Sequence, residues 1–563
     1  MKHKRWKVLS FLPDLDKTDD NPHSPLISQL LLNRGLTTPE LCRDFISGNE
    51  SLAGDPFLLP DIPQAIGRIF QAILRGEKIT VYGDFDADGI TGTALLVEGL
   101  TDLGAQVEAY LPDRHSEGHG LKTEVLESLK EKGSSLVITV DCGITDTEAA
   151  DFAGRKGLDL IITDHHTLTR GIPECVAVIN PDRDDSLYPF KFMAGAGVAF
   201  KLLEALFHAS GRQDIYEKYA DLAAIGTIAD MVPLIGDNRF LVLKGLPLLK
   251  NSRRPGLREL IKNSGVDPEG IDADAVAWSI GPRLNTASRI DHALLSYKLL
   301  TTSSAEEAKE LARELEKKNT ERQRLTEKIY SLALEQVQSM LPLSKILVVS
   351  GSDYSSSVNG IVAGRLVDEF YRPSIVIEKN NGEGYGSARS IPEFDMIGAL
   401  SLCGELLSKY GGHPGAAGFS LPVGMIPALE GRLLEIAARE LEGVDLIPEV
   451  TIDAEIPLVQ GLGTAYKTMQ SLAPFGKGNP LPTFLSRGVK VVENRYIGDK
   501  GKHVRFKLMS ENVVWQAIGF GFGEFAGEFT QNMDIVYTLN IDRWGGAETI
   551  ELNLKDFRPS GQD

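Results

Sequence analysis

The chain has 563 residues, of which 42% are hydrophobic and 24% are charged, and its formal net charge is −19. This length is too great for one hydrophobic core, so several domains are expected, and the composition is that of an ordinary globular protein. The four cysteines are scattered and no apolar run is long enough to cross a bilayer. These features argue against a disulfide framework, a zinc ribbon or a membrane-bound protein, and predict a cytoplasmic one.

The first 240 residues contain two kinds of pattern. Residues 1–60 are expected to form two short helices, at about 26–34 and 39–46, that pack on the domain after them. From 61 to 240, short apolar segments alternate with helical ones, which predicts an α/β fold with helices on both faces of a parallel sheet. The predicted strands are 79–83, 107–111, 136–140, 159–163 and 176–180.

Three carboxylates follow the first of these strands. Asp84, Asp86 and Asp88 alternate along the chain, so in an extended segment they share one side. Three like charges repel one another, and a divalent cation would remove that repulsion because hard cations prefer carboxylate oxygens. A solvated acidic turn is the alternative. Gly89 and Gly92 allow the backbone to approach a ligand closely, at the start of a predicted helix.

Acids and histidines also follow the ends of later predicted strands and of one predicted helix. The third predicted strand ends in Asp141, the fourth ends in Asp164-His165-His166, and a helical stretch of small residues ends in Asp230. The carboxyl ends of parallel strands meet at one edge of a sheet, where such folds bind ligands. Adjacent histidines suit one imidazole on a metal and the other facing a substrate.

Four segments of this region resemble the motifs of the DHH phosphoesterase superfamily, and later residues narrow the resemblance to its RecJ family. The segments are Gly83-Asp84-Phe85-Asp86-Ala87-Asp88-Gly89, Val140-Asp141-Cys142-Gly143, Asp164-His165-His166 and Gly226-Thr227-Ile228-Ala229-Asp230. The resemblance extends from about residue 60 to the end of the chain. It implies 5′→3′ hydrolysis of single-stranded DNA to mononucleotides, in recombination and repair.

The resemblance also implies the roles of individual residues in this centre. Two ions of Mn²⁺ or Mg²⁺ would be held by Asp86, Asp88, Asp141, His165 and Asp230. Three further residues take catalytic roles. Asp84 lies close to the ions, Asp164 orients His165, and His166 faces the non-bridging oxygens of the phosphate.

Substrate contacts are implied at three places in the chain. Arg114, Ser387 and Arg389 correspond to residues that hold a terminal phosphate. Arg283, Asn285 and Arg289 lie in a segment, 280–289, that we expect to be a loop touching DNA. His413 lies in the glycine-rich run 411–418, where it would donate to phosphate oxygens. One departure is that Tyr354-Ser355 stands where many RecJ members have Trp-His.

The remaining domains follow from pattern and resemblance together. Residues 305–340 contain neither Gly nor Pro and predict a long linker helix, with a coiled-coil dimer arm as the alternative. Short strands after residue 450 predict an oligonucleotide-binding (OB) barrel. Its residues Lys500, Lys502, His503, Arg505 and Lys507 would concentrate positive charge in an acidic chain, with Phe506 and Trp515 as stacking residues or barrel core.

The predicted domains are an N-terminal helical segment (1–60), a catalytic domain (61–240), a helical connector (241–341), a DHH-associated α/β domain (342–447) and the OB-like barrel (448–563). We expect a monomer that binds single-stranded DNA and works with a helicase and a single-strand-binding protein. A DHH phosphodiesterase for short oligonucleotides or cyclic dinucleotides is the alternative, but such enzymes lack the long helix and the barrel. Non-catalytic DHH relatives lack metal ligands, whereas every ligand position is filled here.

Overall fold

The computed structural model describes residues 3–9, 25–114, 116–168, 171–458, 462–542 and 549–561. Its helices are α1 (Pro25–Asn33), α2 (Pro39–Ser47), α3 (Ile62–Arg75), α4 (Ala87–Asp102), α5 (Thr123–Glu131), α6 (Thr147–Arg155), α7 (Gly195–Ala209), α8 (Ile215–Ala229), α9 (Gly236–Lys250), α10 (Pro255–Ser264), α11 (Ala273–Ala275), α12 (Gly281–Ile290), α13 (Leu294–Thr301), α14 (Ala305–Ser339), α15 (Ser356–Phe370), α16 (Met396–Ser401), α17 (Ile426–Glu440) and α18 (Leu462–Gln470).

Its strands are β1 (Arg5–Val8), β2 (Lys78–Gly83), β3 (Gln106–Tyr110), β4 (Ser134–Val140), β5 (Asp159–Thr163), β6 (Ala177–Ile179), β7 (Leu347–Gly351), β8 (Ser374–Asn380), β9 (Glu383–Arg389), β10 (Lys409–His413), β11 (Ala416–Pro422), β12 (Glu449–Ile452), β13 (Ala454–Glu455), β14 (Phe484–Ile497), β15 (His503–Ser510), β16 (Val513–Gly519), β17 (Asn532–Asp542) and β18 (Thr549–Pro559). None of the helices in the described ranges has the length and apolar character needed to cross a membrane.

The chain divides into two compact units. The sheet unit consists of Leu36–Thr320 and Ser471–Leu481, and the barrel unit consists of Met1–Gly35, Glu321–Gln470 and Pro482–Asp563. The division falls inside α14, so one continuous helix belongs to both units. The predicted long helix is therefore confirmed, and the backbone N–H of Glu307 in its first turn donates to Ser304 Oγ at 3.2 Å.

The sheet unit is built on a parallel sheet of strand order β3-β2-β4-β5-β6. Its apolar strands are buried, with α4, α7 and α8 contributing to the main core. The α/β expectation is confirmed. Parallel register aligns the ends of the central strands, because Gly83 pairs with Val140 and Val140 pairs with Thr163. The residues that follow these strands are consequently brought to one edge of the sheet.

Two expectations for helical regions are wrong. The two N-terminal helices do not both pack on the sheet unit, because α1 belongs to the barrel unit, where Asn33 Nδ2 donates to the carbonyl of Asp453 at 2.9 Å. The segment 280–289 is not a loop, because a π-helix over Val276–Ile280 leads directly into α12. Pro282 is the second residue of α12 and directly follows the π-helix.

The barrel unit contains a mixed sheet and a closed barrel. The sheet has the order β10-β11-β9-β8-β7, and α15 packs against β8 and β9. The barrel sheet has the order β13-β14-β15-β16-β18-β17, and pairing of β14 with β17 closes it. Phe506 is only 1% exposed and belongs to the barrel interior, whereas Trp515 is half-buried.

The N-terminal strand of the chain completes the barrel unit. β1 pairs in parallel with β12, from Arg5 opposite Glu449 to Val8 opposite Ile452. His3 lies 3.0 Å from a carboxylate oxygen of Asp556 and 2.8 Å from one of Glu528. Burial lowers the pKa of His3, but these hydrogen bonds outweigh it and leave the pKa raised. Residues near the two ends of the sequence thus hold each other in place.

Candidate metal centre and substrate-binding residues

The strand ends supply three carboxylates to one place in the sheet unit. Each residue that follows a strand donates its backbone N–H to the neighbouring strand: Asp84 to Val140 at 3.1 Å, Asp141 to Thr163 at 3.0 Å, and Asp164 to Ile179 at 3.1 Å. Asp141 has a positive φ of 64°, a conformation that non-glycine residues rarely adopt and that is concentrated at functional sites. The sheet itself therefore fixes these side chains.

The start of α4 positions the next two carboxylates. Asp86 is the N-cap of α4 and accepts from the backbone N–H groups of Asp88 and Gly89, at 3.0 and 3.1 Å. Asp88 points to the start of α7, where it accepts from the N–H groups of Gly195 at 2.6 Å and Ala196 at 2.9 Å. Helix N-termini favour negative charge, so both helices help hold acids at this edge.

Gly195 is required by this arrangement. A Cβ atom at Gly195 would lie 2.5 Å from the Cβ of Asp141, closer than real contacts allow. Gly226 in α8 is similarly confined, since its Cβ would lie 2.7 Å from Oδ1 of Asp88. The small residues around both positions allow α7 and α8 to approach the acids closely.

His165 and Asp230 complete the cluster. His165 Nε2 lies 3.1 Å from Oδ1 of Asp141 and 3.7 Å from Oδ2 of Asp230. Three groups of side chains have potential ligand atoms within 4.8 Å of one another. The groups are Asp141, His165 and His166; Asp88, His165 and Asp230; and Asp84, Asp86 and Asp141. The structure thus brings together all five predicted metal ligands with Asp84 and His166.

Two buried atoms show that this cluster fits a cation. Asp141 Oδ1 and His165 Nε2 are both buried, and although they lie 3.1 Å apart they do not have the geometry of a hydrogen bond, with each other or with another group. Leaving such atoms unsatisfied in a protein interior is costly, and a cation between a carboxylate oxygen and an imidazole nitrogen would satisfy both. A donor set of mostly carboxylate oxygens with an imidazole suits Mn²⁺, and Mg²⁺ also takes such oxygens.

The pKa values of the carboxyl groups show their mutual repulsion. Burial, followed by the charges of Asp84 and Asp230, raises the pKa of Asp86 to about 6. Burial and the charge of Asp230 raise the pKa of Asp88 to about 7, and burial with Asp88 raises the pKa of Asp141 well above its usual value. Positive charge at this place would lower all three values, because it favours the ionised forms.

Asp164 contacts a different histidine from the one predicted. Its Oδ1 accepts from Nδ1 of His166 at 2.7 Å, whereas His165 reaches it only through its backbone N–H, also at 2.7 Å. Burial disfavours the charge of Asp164, but the hydrogen bond from His166 and the two imidazoles lower its pKa to about 2. The prediction that Asp164 orients the His165 ring is therefore wrong. Asp164 fixes the ring of His166 and leaves Nε2 of that ring available.

His119 is a site residue that sequence reasoning missed. Its Nδ1 lies 3.1 Å from Oδ1 of Asp84, and its ring centroid lies 5.4 Å from that of His166. A signal was present, because Gly118-His119-Gly120 follows the end of β3 at the same edge of the sheet. Both glycines have positive φ, so the backbone turns there.

Arg114 lies beside the acids, as expected for a residue that binds phosphate near them. Its guanidinium is 4.7 Å from the ring centroid of Phe85. Burial lowers the pKa of Arg114, and the charges of Asp86 and Asp84 oppose that effect. A cation held between an aromatic ring and the carboxylates is placed to meet an incoming anion.

The α12 residues predicted to touch DNA have partners within the sheet unit. Asn285 Oδ1 accepts from the backbone N–H of Ala87 at 2.8 Å, so it braces the segment that carries Asp86 and Asp88. Arg283 donates to Glu316 at 2.7 Å and to the carbonyl of Ser279 at 2.9 Å. Arg289 is half-buried in the last turn. A contact of Arg283 with DNA would have to replace its present bonds, so that assignment stays a prediction.

The other predicted substrate residues lie together on the mixed sheet of the barrel unit. Arg389 on β9 and His413 on β10 both pair with Ala416 on the strand between them, and Ser387 is two residues before Arg389. The three side chains therefore share one face. Burial lowers the pKa of Arg389, and no described carboxylate lies within ion-pair distance of it. A Cβ at Gly360 would lie 3.2 Å from its guanidinium, so α15 packs closely against it.

Comparison with known families accounts for most of the chain. Three family models match it: the DHH family N-terminal domain over residues 78–227, the DHHA1 domain over 343–441 and the RecJ OB domain over 452–556. The single-stranded-DNA-specific exonuclease RecJ of Bacillus subtilis is 39% identical over 560 residues, which cover 98% of this chain and 70% of that protein. The chain belongs to the RecJ family. The RecJ of Thermus thermophilus is 36% identical, over 89% of this chain and 71% of that protein.

Solved RecJ structures share the fold. The crystal structure of Thermus thermophilus RecJ in complex with Mn²⁺ has a TM-score of 0.86 at 33% identity, over 99% of this chain and 80% of that one. A second RecJ structure of that organism, in complex with Mg²⁺, has a TM-score of 0.78 at 32% identity, over 99% and 79%. The expected combination of DHH domain, DHH-associated domain and OB barrel is confirmed.

The departure from the RecJ pattern at Tyr354 has a structural account. Tyr354 is 4% exposed and packs in an apolar cluster with residues of α14, α15 and β7. A Cβ at Gly351 would lie 2.9 Å from its ring. In this RecJ chain the position is therefore part of the core beneath α15.

Proposed function

We propose that this protein is a metal-dependent 5′→3′ exonuclease that hydrolyses single-stranded DNA to mononucleotides. The observation that carries the proposal is the pair of unsatisfied atoms, Asp141 Oδ1 and His165 Nε2, inside a cluster of carboxylates in a chain of the RecJ family. The relatives of this chain are named for action on single-stranded DNA, and two solved relatives contain Mn²⁺ or Mg²⁺.

The metal ligands are Asp86, Asp88, Asp141, His165 and Asp230, which could hold two ions. Bound Mn²⁺ or Mg²⁺ would activate water at neutral pH and offset the negative charge that develops on the phosphate. The fold holds these ligands in position. Backbone N–H groups donate to Asp86 and Asp88, and Asp141 packs closely against Gly195. Such rigidity keeps the ligand atoms together against their mutual repulsion.

His166 and Asp164 act on the phosphate. Because Asp164 accepts the Nδ1 proton of His166, the other nitrogen of that ring faces the substrate side. Burial alone would lower the pKa of His166, but the bond to Asp164 outweighs it and leaves the pKa raised. The raised pKa favours the imidazolium form. In that form Nε2 donates to a non-bridging oxygen. Asp84 holds His119 beside this pair and so shapes the same wall of the site.

The 5′→3′ direction of cleavage comes from recognition of the phosphate at the 5′ end. Ser387 and Arg389 lie on the sheet face against which α15 packs, and beside them β11 contributes Ala416 and Gly418, so a phosphate could approach the backbone closely. We assign the 5′ phosphate to Arg389, whose guanidinium has no described carboxylate partner. Arg114 would bind a substrate phosphate beside the acids.

The barrel would hold the following nucleotides. Arg505 and Lys507 are exposed on β15, whereas Val504, Phe506 and Leu508 between and after them are buried. Both cations now have acidic partners, Glu551 at 4.0 Å from Arg505 and Glu493 at 2.5 Å from Lys507, which DNA phosphates would have to replace. We expect the protein to act as a cytoplasmic monomer with a helicase and a single-strand-binding protein as partners.

Asp141→Asn tests the centre. The variant keeps the size of the side chain but removes a ligand charge, so cleavage of 5′-labelled single-stranded DNA in Mn²⁺ should fall by at least about a hundredfold. Asp151→Asn, on the exposed face of α6, is the matched control. Substrate arms are single strands with and without a 5′ phosphate, blunt duplex and a cyclic dinucleotide. Faster turnover of the dinucleotide than of single strands would refute the DNA assignment in favour of a small-substrate phosphodiesterase.

A further inference from the structure

A short segment from the C-terminal third of the chain belongs to the sheet unit. Ser471–Leu481 precedes β14 of the barrel in sequence, and the predicted domain boundaries place it in the barrel domain, yet its contacts are with the sheet unit. We call it the return loop. Its glycine-rich sequence, Phe475-Gly476-Lys477-Gly478-Asn479, contains none of the predicted site residues.

Two fully buried polar side chains set the shape of the return loop. Arg239, in α9, donates to the carbonyls of Leu472 at 3.0 Å and Ala473 at 2.7 Å. Asn479 donates to the carbonyls of Leu472 at 2.7 Å and Pro474 at 2.8 Å. Gly476 and Asn479 also exchange backbone hydrogen bonds at 2.9 and 3.1 Å. The tip between them, residues 477 and 478, is therefore rigidly presented.

The tip of the return loop is pressed against the segment that follows metal ligand Asp230. The backbone N–H of Leu234 donates to the carbonyl of Lys477 at 2.7 Å. A Cβ at Gly476 would lie 2.8 Å from Cδ1 of Leu234. A Cβ at Gly478, whose φ is +77°, would lie 2.9 Å from Cβ of Pro233. Gly478 therefore has no room for a side chain, and a side chain at Gly476 would have to displace Leu234, so the tip packs closely on this segment and Lys477 carries its only long side chain.

The side chain of Lys477 is exposed, and no carboxylate in the described part of the chain forms an ion pair with it. The backbone carbonyl of Lys477 accepts from the N–H of Leu234, which follows Asp230 by four residues, so the return loop holds the lysine at the rim of the acid cluster. A cation at the rim of an acid cluster, with its donors uncommitted, is suited to an anionic substrate.

From this geometry we infer that Lys477 is a phosphate-binding residue of the active site, which contacts one internucleotide phosphate of the DNA strand beside the metal ligand Asp230. The inference rests on the proposed function. The return loop is then a part of the active site that is supplied from beyond the DHH-associated domain in sequence.

A methylphosphonate scan tests the contact. Single strands carry one neutral methylphosphonate in place of one phosphate, at successive linkages from the 5′ end, and kcat and KM are measured in Mn²⁺ for wild type and Lys477→Met. Wild type should lose about 10- to 100-fold in kcat/KM at the contacted linkage, in addition to any loss at the scissile one. Lys477→Met should show the same loss in kcat/KM on the strand in which every linkage is a phosphate. A methylphosphonate at the contacted linkage should then cause no further loss in this variant. Lys477→Arg should recover most of the activity.

Two controls distinguish this contact from a general effect of surface charge and from a change in metal binding. Lys262→Met, on α10, removes one exposed cation from a helix that contributes no site residue. Calorimetric titration of Mn²⁺ without DNA should give the wild-type affinity for Lys477→Met. Equal activity of Lys477→Met and Lys262→Met on every strand would overturn the inference. So would a loss at all linkages together with weaker Mn²⁺ binding, which would mean that Lys477 only balances the charge of Asp230. If wild type itself cleaves none of the strands, the proposed function fails instead.

Discussion

Replacing Arg239 should destabilise the sheet unit at a distance from its metal centre. Arg239 is fully buried and stacks 3.8 Å from the ring centroid of Phe45. It donates to three carbonyls at 2.7–3.0 Å, those of Phe45, Leu472 and Ala473, and more weakly to a fourth, that of Pro474, at 3.5 Å. Arg239→Met keeps much of the volume and the stacking surface, and removes every donor. The return loop then has no charged anchor in α9.

The magnitude follows from these bonds. Hydrogen bonds from a charged donor contribute about 1.5–3 kcal/mol each, so three contribute roughly 4.5–9 kcal/mol. Burying the guanidinium costs several kcal/mol, and the Met variant avoids that cost. We therefore expect a net loss of about 3–5 kcal/mol in the free energy of opening, because the buried carbonyls lose their donor at about 1–3 kcal/mol each. Arg239→Lys should fall between wild type and Arg239→Met, because one ammonium cannot reproduce the planar fork.

Native-state hydrogen exchange measures this loss where it occurs. A chain of two units need not unfold in one step, so a single global value would mix both units. The amides to follow are Leu234, which donates to the return loop, and Gly476 and Asn479 within it. Arg258→Met, an exposed position on α10, is the control and should change opening by no more than about 0.5 kcal/mol.

Two results would contradict this role of Arg239. If Arg239→Met lowers protection of these three amides no more than Arg258→Met does, the return loop is not held by Arg239. A large loss confined to amides of the barrel unit would contradict it as well, since Arg239 and its acceptors all lie in the sheet unit.

Three other variants probe the centre, the terminal phosphate and the N-terminus. Gly195→Ala should abolish cleavage and weaken Mn²⁺ binding in calorimetry, because its methyl group displaces Asp141, whereas Gly154→Ala, with nothing within 4 Å, should retain both. Arg389→Met should erase the preference for a 5′ phosphate, and equal wild-type rates on phosphorylated and unphosphorylated ends would show that the residue is misassigned. His3→Gln should lower the melting temperature more at about pH 6 than at about pH 9. The pKa of His3 is higher in the folded protein than in the unfolded chain, so protonated His3 stabilises the fold at a pH below its unfolded-state pKa. This stabilisation is lost as the pH rises through the folded-state pKa. A pH-independent difference would contradict the His3 assignment.

The cluster of acids could be predicted because several of its side chains follow local patterns. Asp84, Asp141 and Asp164 each come directly after an apolar strand, and parallel strands bring such positions together whatever the rest of the chain does. The orientation of adjacent rings could not be predicted in the same way. Whether Asp164 meets His165 or His166 depends on side-chain rotamers at one turn, which the spacing of residues does not specify.

The errors elsewhere come from contacts that are distant in sequence. Gly281-Pro282 suggests a break in the chain, but Pro is well tolerated in the first turn of a helix, and α12 begins there. Asn285 looks free to bind DNA until its partner Ala87, 198 residues away, is known. The return loop carries turn residues that would fit any surface connection, and only tertiary packing places it on the sheet unit.

The return loop has a consequence for synthesis of the protein on the ribosome. Arg239 and its acceptor Leu472 are separated by 233 residues. At about 5–20 residues per second, roughly 10–50 seconds pass between translation of one and of the other. The sheet unit therefore emerges from the exit tunnel with Arg239 lacking its acceptor carbonyls in the return loop, and Leu234 lacking the acceptor for its amide. A nascent chain stalled before residue 471 already contains every predicted metal ligand, but it lacks the return loop that packs on the segment after Asp230.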